Sequence, residues 1–158
     1  AKPITVFKVR TMKDAYSADG SLLSDAERLT TTGRLLRKTS LDELPQLWNV
    51  LRGDLSLVGP RPLLERYLPY YKYRERLRFQ VKPGITGWAQ VNGRNQASWD
   101  QRLENDAWYV ENWSLVLDIK ILILTVVKVL AVKGVVTDPQ SIMLDLDQER
   151  MLRGQAQR

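Results

Sequence analysis

Residues 115–133, LVLDIKILILTVVKVLAVK, are the most apolar stretch of the chain and constrain its fold most tightly. The longest uncharged run within them is ILILTVV, residues 121–127. A membrane-spanning helix needs about 20 predominantly apolar residues, so this run falls far short. On a helical wheel Asp118, Thr125, Lys128 and Lys133 share a broad arc, with Lys120 opposite. The stretch reads as one amphipathic helix, either facing a core or lying in a membrane interface.

Other elements follow from punctuation. Residues 4–12, ITVFKVRTM, are rich in β-branched side chains and predict a strand. Residues 13–33 read as a polar loop with room for one short helix. Ser40 and Glu43 have capping-box spacing and predict a helix over 40–52. Pro45 is tolerable near its start, Leu44, Leu47, Trp48 and Leu51 share one face, and Gly53 suits its end. Gly59-Pro60-Arg61-Pro62 is a rigid turn. Residues 64–80 predict helix on both sides of Pro69, and residues 98–113 another helix. Residues 81–94, with Gly84, Gly87 and Gly93, predict loop and a short strand whose backbone can approach a ligand closely. The expected fold is α+β: a mostly helical single domain with a small β-sheet or hairpin, strand 4–12 pairing near 84–92. A domain over 1–136 is expected, followed by a polar tail over 137–158.

The chain has no cysteine and no histidine, which removes thiol and imidazole chemistry and the ordinary zinc ligands. Catalysis would fall to carboxylates, Lys, Arg, Tyr, Ser or Thr, and any metal would be hard and oxygen-bound, such as Mg²⁺. A net charge of +6 favours an anionic partner: nucleic acid, a phosphorylated small molecule or anionic lipid.

Asp42 and Glu43 then stand out. They could simply complement a helix dipole. A carboxylate at a helix start could equally bind Mg²⁺ or attack phosphorus, forming an acyl phosphate. Arg61 and Arg94 sit in turns built from Gly and Pro, where a guanidinium is held for bidentate phosphate binding. Arg37 lies shortly before the acidic pair, and Lys8 and Arg10 alternate along the first strand. The aromatic-basic run YLPYYKYRERLRF, residues 67–79, could stack bases, lie at a membrane interface, or form a half-buried helix. Trp88, Trp99, Trp108 and Trp113 are expected as core or interface anchors.

Four motifs together resemble one family. FKVRTM (7–12), TSLDELPQLWNVLRGDLSLVGPRP (39–62), VKPGITGWAQVNGR (81–94) and DAWYVENWSLVLDIKIL (106–122) are similar to the bacterial sugar transferases, the monotopic polyprenyl-phosphate phosphoglycosyl transferases, in their small, minimal form. The resemblance implies transfer of a sugar 1-phosphate from a UDP-sugar to a polyprenyl phosphate, usually undecaprenyl phosphate, with release of UMP. It implies Mg²⁺ and a ping-pong route through a covalent intermediate on Asp42. Glu43 is implied as the second carboxylate, assisting proton handling and, with Asp42, the metal site. Lys8, Arg37, Arg61 and Arg94 are implied around the phosphates; Arg10 and Asp106 are further substrate-binding candidates. A re-entrant membrane helix is implied upstream of residue 1, so the chain is expected to be part of a longer protein. The implied place is the cytoplasmic face of the bacterial inner membrane, with lipid as partner and no nucleic acid. The alternatives are an inactive membrane-surface scaffold, which would use 63–80 and 115–133 only, and a basic nucleic-acid-binding module, which would leave Asp42-Glu43 unexplained.

Overall fold

A short helix α1 (Asp25–Arg28) precedes α2 (Thr31–Thr39), whose start is capped by Thr30: the hydroxyl accepts from the Gly33 N–H at 2.9 Å. The same hydroxyl donates to the Thr11 carbonyl at 3.1 Å. A Cβ on Gly33 would collide with that carbonyl oxygen, so glycine lets α2 lie directly on the extended segment through Thr11. This computed structural model describes residues 3–93, 97–131 and 144–154. Thus the expected loop over 13–33 ends in helix, and the basic stretch 34–38 belongs to α2.

Ser40 closes α2 in the left-handed region, at φ 57°. A three-residue 3₁₀ turn, Leu41–Glu43, follows, and then α3 (Gln46–Leu51). The predicted continuous helix over 40–52 is therefore broken. The capping box at Ser40 does not form, because a residue ending one helix in the left-handed region lacks the extended backbone of an N-cap. Gly53 does follow the last turn of α3, at φ 79°.

The predicted strand 4–12 forms no sheet. Its extended backbone is satisfied otherwise. Asn49, fully buried on α3, accepts from the Phe7 N–H at 3.1 Å and donates to the Thr5 carbonyl at 2.7 Å. The Val9 N–H donates to the Asp42 carbonyl at 2.9 Å. Met12 alone bridges to Leu29. A side-chain amide and a 3₁₀ turn thus take the place of a neighbouring strand.

The sheet instead pairs β1 (Ser56–Val58) with β2 (Gly84–Thr86) in parallel, Ser56 opposite Gly84 and Val58 opposite Thr86. Parallel strands need a crossover rather than a hairpin. Here the crossover holds two 3₁₀ helices, Glu65–Tyr70 and Arg74–Gln80, where α-helix was expected; Pro69 cannot donate within the first. The glycines of 81–94 serve chain-to-chain contact: a Cβ on Gly84 would strike the Gly59 nitrogen, and one on Gly87 the Gly59 carbonyl oxygen. They let β2 close on the GPRP turn rather than on a ligand.

After α4 (Trp88–Val91) come α5 (Trp99–Glu111) and α6 (Leu115–Leu130). Helix α5 joins two cores. Tyr109 packs with Val58, Val91, Leu117 and Ile121. Trp99 and Leu103 pack with Tyr67, Tyr71 and Leu146. Leu146 comes from α7 (Leu146–Leu152), in the expected polar tail. That helix also buries Arg150, which pairs at 2.7 Å with both Glu75 and Asp100.

Helix α6 is amphipathic in an inverted sense. Its polar arc faces the protein: Asp118 accepts from the Tyr109 hydroxyl at 2.7 Å, Thr125 shares a 2.7 Å hydrogen bond with Thr86, and Lys128 donates to the Val91 carbonyl. Leu115, Val116, Ile119, Ile123, Val126, Val127 and Leu130 face outward. Lys133 lies outside the described residues. Helix α3 repeats the pattern: Gln46 and Asn49 are buried while Leu47, Trp48 and Leu51, with Leu44 just before the helix, are exposed. Among the described residues no helix is long and apolar enough to cross a membrane.

Candidate active site

Ordering of the extended segment brings Lys8 onto the acidic pair. Asn49 ties the backbone at Thr5 and Phe7, Asp42 ties it at Val9, and the Lys8 side chain projects between these anchors. Its Nζ lies 2.9 Å from Asp42 Oδ2 and 3.5 Å from Glu43 Oε1. From the other side Arg61 forks onto Glu43, Nη2 to Oε1 at 2.5 Å and Nη1 to Oε2 at 3.4 Å. Two carboxylates and two cations from three separate segments meet here.

The two acids differ. Asp42 is 2% exposed, and the Lys8 ammonium, 2.9 Å from its Oδ2, pairs with it outside good hydrogen-bond alignment. Such a buried, charge-paired carboxylate keeps further lone pairs available for a bond. Burial opposes ionisation of Glu43, but Arg61 and then Lys8 outweigh it and hold its pKa below the ordinary glutamate value. Glu43 is therefore ionised at neutral pH. Arg61 stays reachable, its side chain 44% exposed. Because the dyad sits on a three-residue turn, the cations rather than a long helix dipole supply the positive field.

Arg61 is braced from behind. Arg78, 5% exposed, donates to the Arg61 carbonyl, to the Tyr71 hydroxyl at 3.2 Å, and pairs with Asp106 at 3.3 Å. Burial pushes the Asp106 carboxyl up to about 6, only partly offset by Arg78. Asp106 thus reaches the dyad through Arg78 and Arg61.

The remaining candidates lie elsewhere. Arg10 pairs with Asp14 at 2.9 Å on the surface. Arg37 Nε donates to the buried Thr11 hydroxyl at 3.0 Å. Arg94 lies outside the described residues. Arg74 is bound by Glu104 and Glu111 of α5, and Tyr67 and Tyr71 are buried, so the aromatic-basic run serves mainly to attach the crossover to α5. Asn49 and Arg78 were not singled out by sequence. The only signal for Asn49 was an amide on the face of 46–51 opposite the leucines.

Residues 1–132 match the bacterial sugar transferase family, and the chain belongs to it. It is similar to EpsL, an uncharacterised sugar transferase of Bacillus subtilis, at 63% identity over 134 residues, 85% of this chain and 66% of that protein. It is also similar to the undecaprenyl-phosphate galactose phosphotransferase of Salmonella typhimurium, 52% identical over 71% of this chain and 24% of that one. A third relative is the UDP-glucose:undecaprenyl-phosphate glucose-1-phosphate transferase of Escherichia coli, 45% identical over 80% of this chain and 30% of that one. The chain therefore spans only part of the length of these relatives.

Proposed function

We propose that this chain carries the catalytic centre of a transferase that moves a sugar 1-phosphate from a UDP-sugar to a polyprenyl phosphate, with undecaprenyl phosphate as acceptor. The observation that supports this most is Asp42: a buried carboxylate paired at 2.9 Å with the Lys8 ammonium and adjoining the Arg61-bound Glu43, so that cations suited to phosphate flank it. Relatives named for glucose and for galactose show similar identity, so the sugar is left open.

In the first half-reaction a carboxylate oxygen of Asp42 bonds to the sugar-bearing phosphorus. The bond from that phosphorus to the bridging diphosphate oxygen breaks, and UMP leaves with the electron pair. In the second, a polyprenyl phosphate oxygen attacks the same phosphorus and the Asp42 carboxylate is released, giving polyprenyl diphosphate-sugar. A carboxylate nucleophile needs no base at neutral pH, which suits a chain without histidine. Lys8 and Arg61 hold the phosphoryl oxygens. Ionised Glu43 is placed to accept the proton of the incoming lipid phosphate.

The donor set fits Mg²⁺. Among the described residues no cluster of three acidic side chains could hold a metal alone. Two adjacent carboxylates plus substrate phosphates and water are a usual magnesium arrangement, and the Asp42 and Glu43 carboxylates would hold the ion. When bound, Mg²⁺ would neutralise diphosphate charge and improve UMP as a leaving group. The outward apolar faces of α6 and α3 support a membrane surface as partner, with the lipid acceptor entering from it; the cytoplasmic face of the inner membrane as its place rests on the family resemblance alone. The catalytic unit is read as spanning 1–136.

Intact-protein mass spectrometry tests this. The full-length protein in lipid nanodiscs, given Mg²⁺ and UDP-glucose, UDP-galactose or N-acetylated UDP-sugars without acceptor, should gain one sugar phosphate. Asp42→Asn should gain nothing, and EDTA should suppress the gain. Turnover surviving in Asp42→Asn would rule out the covalent route.

A further inference from the structure

Arg78 and Asp106 form an ion pair that is almost fully buried, at 5% and 4% exposed. Such a pair is a poor source of stability, because the desolvation of two charges offsets their attraction. Apolar side chains could fill the same space. What the guanidinium adds is direction. From the crossover 3₁₀ helix Arg74–Gln80 it donates to the Tyr71 hydroxyl at 3.2 Å and to the Arg61 carbonyl, while Asp106 of α5 stands 3.3 Å away. Its carbon lies 5.4 Å from the centre of the Tyr71 ring, and Phe79 packs edge-on against that ring at 5.3 Å. Three segments thus meet on one fork.

The turn that carries Arg61 is anchored residue by residue. The Gly59 N–H donates to the Thr86 carbonyl at 2.9 Å, and the Pro60 carbonyl accepts from the Gly84 N–H at 3.0 Å, so β2 holds the first half. The Arg61 carbonyl accepts from Arg78. Pro62 has no N–H to offer a further anchor. The Arg61 side chain leaves this point 44% exposed, so its aim depends on the backbone from which it springs. It ends on Glu43, with Nη2 and Nη1 at 2.5 and 3.4 Å from the two carboxylate oxygens. Arg78 therefore fixes the base from which the clamp reaches the dyad.

We propose that Arg78 is a positioning residue of the transfer reaction: by holding the Arg61 carbonyl it aims the Arg61 fork, and Asp106 serves by orienting Arg78 rather than by binding substrate. This rests on the transferase reading. A misplacement of about 1 Å can slow a reaction about a hundredfold. Glu43 would register it too. It faces Lys8 and Arg61 and adjoins Asp42. Burial raises its pKa, and Arg61 is the larger of the two cationic influences that lower it. A misaimed Arg61 leaves burial less opposed, so the acidic limb of the pH–rate profile moves to higher pH.

The test uses the full-length protein in nanodiscs, with undecaprenyl phosphate and whichever of UDP-glucose, UDP-galactose and the N-acetylated UDP-sugars labels the wild type. Turnover is followed against pH, beside thermal melts. Arg78→Lys keeps a charge beside Asp106 but not the fork. The pair Arg78→Gln with Asp106→Asn leaves no buried charge unpaired. Each should turn over about a hundredfold more slowly, with the acidic limb raised as in Arg61→Ala. An ion pair that merely holds the fold would be rescued by lysine and would leave the limb in place. A variant that melts like the wild type but keeps its rate, or slows with the limb unmoved, would overturn the proposal. Should neither fold, Tyr71→Phe carries the same two readings, since it removes only the hydroxyl that orients one arm of the fork. A slower rate with a raised limb then sustains the proposal, and any other result ends it. A wild type that forms neither adduct nor product would sink the transferase reading and this role with it, whereas Arg78 variants as active as the wild type would leave that reading intact.

Discussion

Asp106→Asn should change how stability depends on pH. In the folded protein burial raises the Asp106 carboxyl from 3.8 to about 6. A raised acid pKa means that the folded state holds this proton over a window in which the unfolded chain has lost it. The associated stability is fully present below pH 3.8 and lost as pH rises through about 6. At roughly 1.4 kcal/mol per pKa unit, the loss amounts to about 3 kcal/mol. The charge of Arg78 is already contained in that raised value, and the part of the cost of replacing the carboxyl that does not depend on its ionisation is the same at every pH. The informative quantity is therefore the difference between wild type and variant. Urea unfolding of both, from acid to neutral pH, should show the wild type losing about 3 kcal/mol relative to Asp106→Asn. In thermal melts this corresponds to roughly 6–12 °C for a chain of this size. A difference that stays flat with pH would refute the reasoning, and would mean that Arg78 offsets the burial of Asp106 completely.

Three further outcomes follow from the site and its supports. Arg61→Ala removes the strongest influence lowering the Glu43 pKa and leaves burial to raise it, so the acidic limb of the pH–rate profile should move to higher pH; an unmoved limb would show that Lys8 alone suffices. Asn49→Leu removes the hydrogen bonds to the Phe7 N–H and the Thr5 carbonyl, at about 0.5–1.5 kcal/mol each because water can reach these part-buried groups, and hydrogen exchange at Phe7 should accelerate while α5 stays protected. Leu146→Ala should cost about 2–5 kcal/mol in urea unfolding, because that side chain fills the core between Tyr67, Tyr71, Trp99 and Leu103; a loss below about 1 kcal/mol, as for a surface substitution, would show α7 to be peripheral.

The sequence alone determined the local chemistry. Without cysteine or histidine, any catalysis falls to carboxylates, Lys, Arg, Tyr, Ser or Thr, and the resemblance carried by the four motifs singles out Asp42, Glu43, Lys8 and Arg61 among the candidates. It also set the long helices near 98–113 and 115–133, because sustained apolar periodicity is a local signal. Tertiary structure decided what periodicity cannot express, namely which face turns inward. The leucine stripe of α3 and the aliphatic arc of α6 point outward, while Asn49, Asp118 and Thr125 point in, since each inward polar group finds a specific partner distant in sequence. Residues 4–12 kept the extended form that β-branched side chains favour, but a lone Asn side chain and the Asp42 carbonyl outcompeted any strand as partner. The sheet formed instead where Gly59, Gly84 and Gly87 allow two backbones to touch. The brace from Asp106 through Arg78 to Arg61 spans three distant segments, and only the packing of α5 against the crossover brings them together.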